Sequence, residues 1–118
     1  MENQTHRRNI LVTGGNKGIG YAIIEKLLET STPYHIILTS RDPTLGQEAI
    51  KKLQNEKPQS PTTLTYQRLD VNDEKSVQGL VDWLNKSGTK IDVLLNNAGV
   101  NFRTANLEQR KHTIQTNY

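Results

Sequence analysis

The passage that most constrains the fold runs from a short apolar stretch straight into glycines. Asn9-Ile10-Leu11-Val12-Thr13 is brief, apolar and rich in β-branched residues, as a strand covered on both faces should be. It leads without a break into Thr13-Gly14-Gly15-Asn16-Lys17-Gly18-Ile19-Gly20. A helical pattern follows over residues 18–30, with Ile19, Ala22, Ile23 and Leu27 at helical spacing. Strand, glycine turn and helix in this order form a phosphate-binding arrangement. Glycine lets the backbone approach a pyrophosphate, and the helix N-terminus offers free N–H groups and the positive end of its dipole. In that context the loop predicts a dinucleotide site. Its candidate contacts are Thr13, Gly14, Asn16, Lys17, Gly18, Ile19 and Gly20.

The rest of the chain repeats the same alternation. Tyr34–Ser40 reads as a second strand. Asp42 followed by Pro43 is a helix start, a capping carboxylate and then proline at the first helical position. Gly46, Ala49, Ile50 and Leu53 are expected to face the sheet. Residues 64–71 alternate apolar and polar, as a strand near a sheet edge does. Asp73 can cap the next helix, on which Val77, Leu80, Val81 and Leu84 make an amphipathic stripe, and Gly88 is a C-terminal stop. Residues 91–95 form a fourth strand, ending in Asn96-Asn97-Ala98-Gly99, and a further helix begins within 107–118. Such β-α alternation predicts an α/β fold, a doubly wound parallel sheet with right-handed crossovers.

The bulk numbers fit one domain: 118 residues with a formal net charge of +3. That charge is too small and scattered for nucleic-acid binding. The sequence holds no cysteine, so disulfides and thiolate metal sites are excluded. Neither a signal core nor a membrane-length apolar run is present. The expectation is a cytoplasmic protein with a flexible polar tail over residues 1–8 and no membrane partner. His6, His35 and His112 have neither metal-ligand spacing nor a nucleophile partner, so no metal site is expected.

The glycine spacing is Thr13-Gly14-x-x-x-Gly18-Ile19-Gly20 rather than G-x-G-x-x-G. Together with Asn96-Asn97-Ala98-Gly99, and with "LTSRD", "LDVND" and "TNY", it resembles the short-chain dehydrogenase/reductase family. Within that family the chain looks most like the N-terminal part of the NADPH-dependent carbonyl reductases. The resemblance implies a Rossmann-type sheet in the order 3-2-1-4 over residues 9–118, truncated at its C-terminal side. It implies hydride transfer between NADPH and a small-molecule ketone or aldehyde. It places Asn96 where it helps hold the central sheet and borders the cofactor ribose, with small Ala98 and Gly99 leaving room for the dinucleotide. It gives Asp70 a hydrogen bond from the adenine amino group and sets Val71 near the ring. The bland alternative for Asp70 is a cap on the turn through Asn72 and Asp73.

The choice of cofactor rests on charge. A carboxylate about 20 residues past the glycine loop would grip the ribose 2′-hydroxyl of NAD. Here the second strand ends in Thr39-Ser40, followed by Arg41. Arg41 can supply a planar fork, Ser40 a hydroxyl and Lys17 a second cation to a 2′-phosphate, so NADP(H) is expected.

The resemblance also assigns Asn117 as the catalytic asparagine, which helps hold a proton-relay water. The matching serine is absent, as is any Tyr-x-x-x-Lys: Glu25, Leu38 and Asp70 stand four residues after Tyr21, Tyr34 and Tyr66, and the sequence stops at Tyr118. Two readings therefore stay open. One is the cofactor-binding part of a carbonyl reductase, inactive alone; the other is a non-catalytic NADP(H)-binding or partner-binding protein on the same scaffold. The apolar strand 91–95, lacking a fifth strand beside it, is also expected to self-associate through its edge.

Overall fold

The computed structural model describes residues 7–97. Expectations for residues 1–6, for Ala98, Gly99 and Asn117, and for the helix within 107–118 fall outside them. Seven elements follow one another: β1 (Arg8–Thr13), α1 (Gly18–Leu28), β2 (Tyr34–Ser40), α2 (Pro43–Glu56), β3 (Thr63–Arg68), α3 (Glu74–Ser87) and β4 (Val93–Asn96). The strands are all parallel and lie in the order β3-β2-β1-β4. The chain therefore winds outward from β1 to β3, then returns to lay β4 against the other side of β1, which puts the reversal of strand order at β1.

The strand period of two divides the core. Ile10, Val12, Ile36 and Leu38 point to one face, where Ile24 and Leu28 of α1 and Ala49, Ile50 and Leu53 of α2 bury them. Leu11 and Ile37 point to the other, against Leu69 and Leu80, with Trp83, Leu84, Ile91 and Leu94 packed around them. Register keeps the layers aligned: Val12 lies opposite Leu38 on one side and Leu95 on the other.

Helix ends follow the sequence closely where a carboxylate caps. Asp42 Oδ1 accepts from the Thr44 and Leu45 amides at 2.9 and 3.3 Å, and Asp73 Oδ1 accepts from the Lys75 amide at 3.0 Å. Gly88 closes α3 at φ 70°.

Three expectations need correction. On α1 the buried stripe is Gly20, Ile24 and Leu28, while Ile19 and Ala22 are exposed and Ile23 is half-buried. This helix carries two apolar stripes, and the one bearing Gly20 can come closest to the loop. On α3 only Leu80 is fully buried and Val77 and Val81 are exposed, while Trp83 and Leu84 pack, partly buried, against the second core cluster. Finally, β3 stops at Arg68, so Asp70 and Val71 belong to the turn that follows rather than to the strand end. Among the described residues, no helix is long and apolar enough to cross a membrane, and no three His, Asp or Glu side chains cluster to hold a metal ion.

Candidate functional site

The C-terminal ends of β1, β2 and β4 and the turn after β3 meet at one edge of the sheet. Residues 14–17 leave β1 there. Gly14 and Gly18 adopt φ 62° and 65°, the left-handed region that side chains resist. Thr39 fastens the loop from beside it: its carbonyl accepts from the Gly15 amide at 3.0 Å, and its buried hydroxyl donates to the Val12 carbonyl at 2.9 Å.

A second fastening comes from β4. Thr13 Oγ1 lies 3.1 Å from Asn96 Oδ1 and accepts from the Asn97 amide at 2.8 Å. The Asn97 side-chain amide donates to the Gly14 carbonyl at 3.1 Å. Asn96 thus does tie the central strands together. Asn97, which the sequence marks only as part of the Asn96-Asn97-Ala98-Gly99 motif, latches the glycine loop directly. Gly20 makes room for that latch: a Cβ there would stand 2.8 Å from Asn97 Nδ2 and 2.9 Å from the Gly14 oxygen.

The latched loop delivers a helix N-terminus that no side chain caps. Lys17 occupies the N-cap in an extended conformation, and the first turn of α1 contains no acid. Both other helices carry an aspartate at this position. The first amides of α1 and the positive end of its dipole are thus available to an anion. Lys17, Gly18 and Ile19 are exposed there, with Asn16 half-buried behind them. Among the described residues, nothing lies within 4 Å of the point where a Gly18 Cβ would sit.

At the end of β2 the structure separates Ser40 from Arg41. Ser40 was expected to offer its hydroxyl to a phosphate. It is instead buried, donating to the Asp42 carbonyl at 3.0 Å and standing 3.2 Å from the Tyr66 hydroxyl. Strand parity explains this, since Ser40 follows Ile36 and Leu38 onto the face covered by α2. Arg41 is exposed, and its guanidinium makes no ion pair among the described residues. Beside it stands a residue that motif reading passed over. Arg68, the last of β3, pairs in register with Ser40 and donates from Nε to the Arg41 carbonyl at 3.0 Å. Its position opposite the end of β2 was the available signal.

Asp70 lies in the adjoining turn. Its Oδ1 accepts from the Asn72 amide at 3.0 Å and its carbonyl from the Asp73 amide at 3.0 Å, so the local turn uses one of its two carboxylate oxygens. Val71 packs beside the second core cluster. The structure therefore gathers Thr13, Gly14, Asn16, Lys17, Gly18, Ile19, Gly20, Arg41, Asp70, Val71 and Asn96 along one sheet edge.

Comparison with known proteins agrees with this geometry. The sequence model of the short chain dehydrogenase family matches residues 8–118. Carbonyl reductase (NADPH) 1 of Homo sapiens is 42% identical over 112 residues, which are 92% of this chain and 39% of that protein. The menthone neomenthol reductase structure from Mentha piperita superposes with a TM-score of 0.70 at 34% identity, covering 93% of this chain and 40% of that one. L-sorbose reductase from Gluconobacter frateurii, solved with NADPH and L-sorbose, gives a TM-score of 0.64 at 28% identity over 80% of this chain and 34% of that one. The chain thus spans between about a third and two-fifths of the length of these relatives. With a matching sequence model over nearly its whole length and a sheet, glycine loop and Asn96-Asn97 latch to go with it, the chain belongs to the short-chain dehydrogenase family.

Proposed function

We propose that this chain forms the NADP(H)-binding part of a carbonyl reductase, a protein that moves a hydride between NADPH and a small ketone or aldehyde. The observation that carries the reading is the uncapped N-terminus of α1, with exposed Lys17 beside it and exposed Arg41 at the neighbouring strand end. A pyrophosphate suits the first, since free amides and the helix dipole favour an anion. A ribose 2′-phosphate suits the second, because no carboxylate ends β2 and Asp42 spends Oδ1 on capping α2. The names of the relatives that bind NADPH point the same way.

In this reading the bound cofactor supplies the hydride. The chain's own residues bind and orient it. Gly14, Asn16, Gly18, Ile19 and Gly20 shape the pyrophosphate cradle, and Thr13, Asn96 and Asn97 hold it rigid. Asp70 would accept a hydrogen bond from the adenine amino group and Val71 would pack near its ring, and the family resemblance would give Asn117 a proton-relay water to hold.

Calorimetry with NADPH and NADH tests the assignment. The wild type should prefer NADPH, and Arg41→Asp should abolish or invert that preference, since it replaces a cation with a repelled charge. Equal affinities for the two cofactors in the wild type would overturn the reading.

A further inference from the structure

We propose that Arg68 is a second determinant of 2′-phosphate recognition, acting as the positioning residue for Arg41 and as an added cation beside it. The proposal rests on the reading of this edge as an NADP(H) site and extends it to a residue that the glycine and strand-end motifs do not include.

Four hydrogen bonds carry it. Arg68 Nε donates to the Arg41 carbonyl at 3.0 Å, while the next residue's amide, Leu69 N, donates to the Ser40 carbonyl at 2.9 Å. The backbone that presents Arg41 is therefore pinned at two successive carbonyls by the end of β3. Arg68 Nη1 reaches Ser76 Oγ at 3.4 Å, and that same oxygen accepts from the Asp70 amide at 2.8 Å. One network thus joins Arg41, which would meet the 2′-phosphate, to Asp70, which would meet the adenine. The spacing between the two ends of an adenosine site is set by Arg68 and Ser76 together.

The charge balance supports the same conclusion. Arg41 and Arg68 are both exposed and, among the described residues, neither makes an ion pair. Two arginines presented at neighbouring strand ends without a carboxylate partner repel each other weakly in water, and a bound dianion would offset that repulsion. Ser40, the other candidate donor at this corner, is buried and engaged with Asp42 and Tyr66. Arg68 occupies the role that the buried hydroxyl leaves open. A guanidinium suits it, because Nε can hold the Arg41 carbonyl and Nη1 the Ser76 hydroxyl while Nη2 keeps its donors for an anion.

The test needs only the adenosine half of the cofactor. The chain is titrated calorimetrically with 2′,5′-ADP and with 5′-ADP, which differ by the 2′-phosphate. The wild type should prefer 2′,5′-ADP. Arg68→Met should cut that preference about tenfold, the scale of one charge-assisted hydrogen bond, while 5′-ADP affinity stays within about twofold. Should the Met variant fail to fold, Arg68→Gln gives the same readout, since it keeps a donor for the Arg41 carbonyl and drops the charge. An unchanged preference in the Arg68 variants, alongside its loss in Arg41→Met, would overturn the proposal and leave the NADP(H) reading standing. An equal fall for both ligands would also overturn it, marking Arg68 as merely structural. No preference in the wild type would remove the NADP(H) reading itself, and the proposal with it.

Discussion

Gly20 gives the sharpest test of how the glycine loop is held. It sits in the first turn of α1, where alanine would ordinarily stabilise the helix by about 1 kcal/mol over glycine. The surroundings reverse that sign. A Cβ at Gly20 would lie 2.8 Å from Asn97 Nδ2, 2.9 Å from the Gly14 oxygen and 3.1 Å from the Gly15 Cα. Two of those three atoms are backbone and cannot rotate away. Overpacking of this kind costs about 1–3 kcal/mol. Pushing Asn97 aside also removes its bond to the Gly14 carbonyl, about 0.5–1.5 kcal/mol for a hydrogen bond of this kind. After the propensity gain is offset, Gly20→Ala should lose about 0.5–3.5 kcal/mol. Gly79 is the internal control, lying within α3 with nothing inside 4 Å of its would-be Cβ. Gly79→Ala should therefore gain up to about 1 kcal/mol. The single tryptophan, Trp83, packs against the second core cluster and reports unfolding in urea by its fluorescence. The two midpoints should move in opposite directions at constant slope. If Gly20→Ala stabilised as much as Gly79→Ala, the latch between Asn97 and the loop could not stand as described.

Other outcomes follow from the same geometry. His35 lies at the opposite end of the sheet, with Nδ1 3.0 Å from Asn9 Oδ1 and Nε2 2.9 Å from Thr65 Oγ1. Burial, and then the charge of Arg7, push its pKa below the usual imidazole value. The unfolded chain thus binds the proton more readily, so stability should be full above about pH 6.5 and fall as the pH drops toward the folded-state pKa. Unfolding midpoints at several pH values should show this slope, and His35→Gln should flatten it; an unchanged slope would refute it. The 118-residue chain by itself should show no NADPH-dependent carbonyl reduction above background, because general acid catalysis typically supplies about 10²–10⁴-fold and the sequence has no Tyr-x-x-x-Lys. Turnover abolished by Gly18→Asp would contradict this. Among the described residues β4 pairs only with β1, so sedimentation should show concentration-dependent association of this chain; a clean monomer across the range would refute an exposed edge.

What the sequence made legible was pattern, and what it left hidden was mostly direction. The alternation of apolar runs and helical stripes was enough for the element order and the parallel sheet, because a strand such as Asn9–Thr13 can be this apolar only when both its faces are covered. Asp42 and Asp73 were readable as caps because a carboxylate before a helix has one common local use. Ser40 shows where motif reading overreached, since residue type suggested a phosphate donor. The period of two already placed it on the face of Ile36 and Leu38, behind α2. On α1 the abundance of apolar residues allowed two stripes, and only the close approach at Gly20 selects the buried one. Asn97 and Arg68 escaped for a different reason. Their partners, Gly14 and Arg41, lie 83 and 27 residues away, and each bond depends on which strands become neighbours. Once the strands are placed in the order β3-β2-β1-β4, both pairings follow from register, because Asn97 comes directly after the partner of Thr13 and Arg68 is the partner of Ser40. The site is thus local in its glycine loop and topological in the residues that hold that loop and aim Arg41, so changes at Asn97 and Arg68 should act on the site although neither lies in the glycine loop.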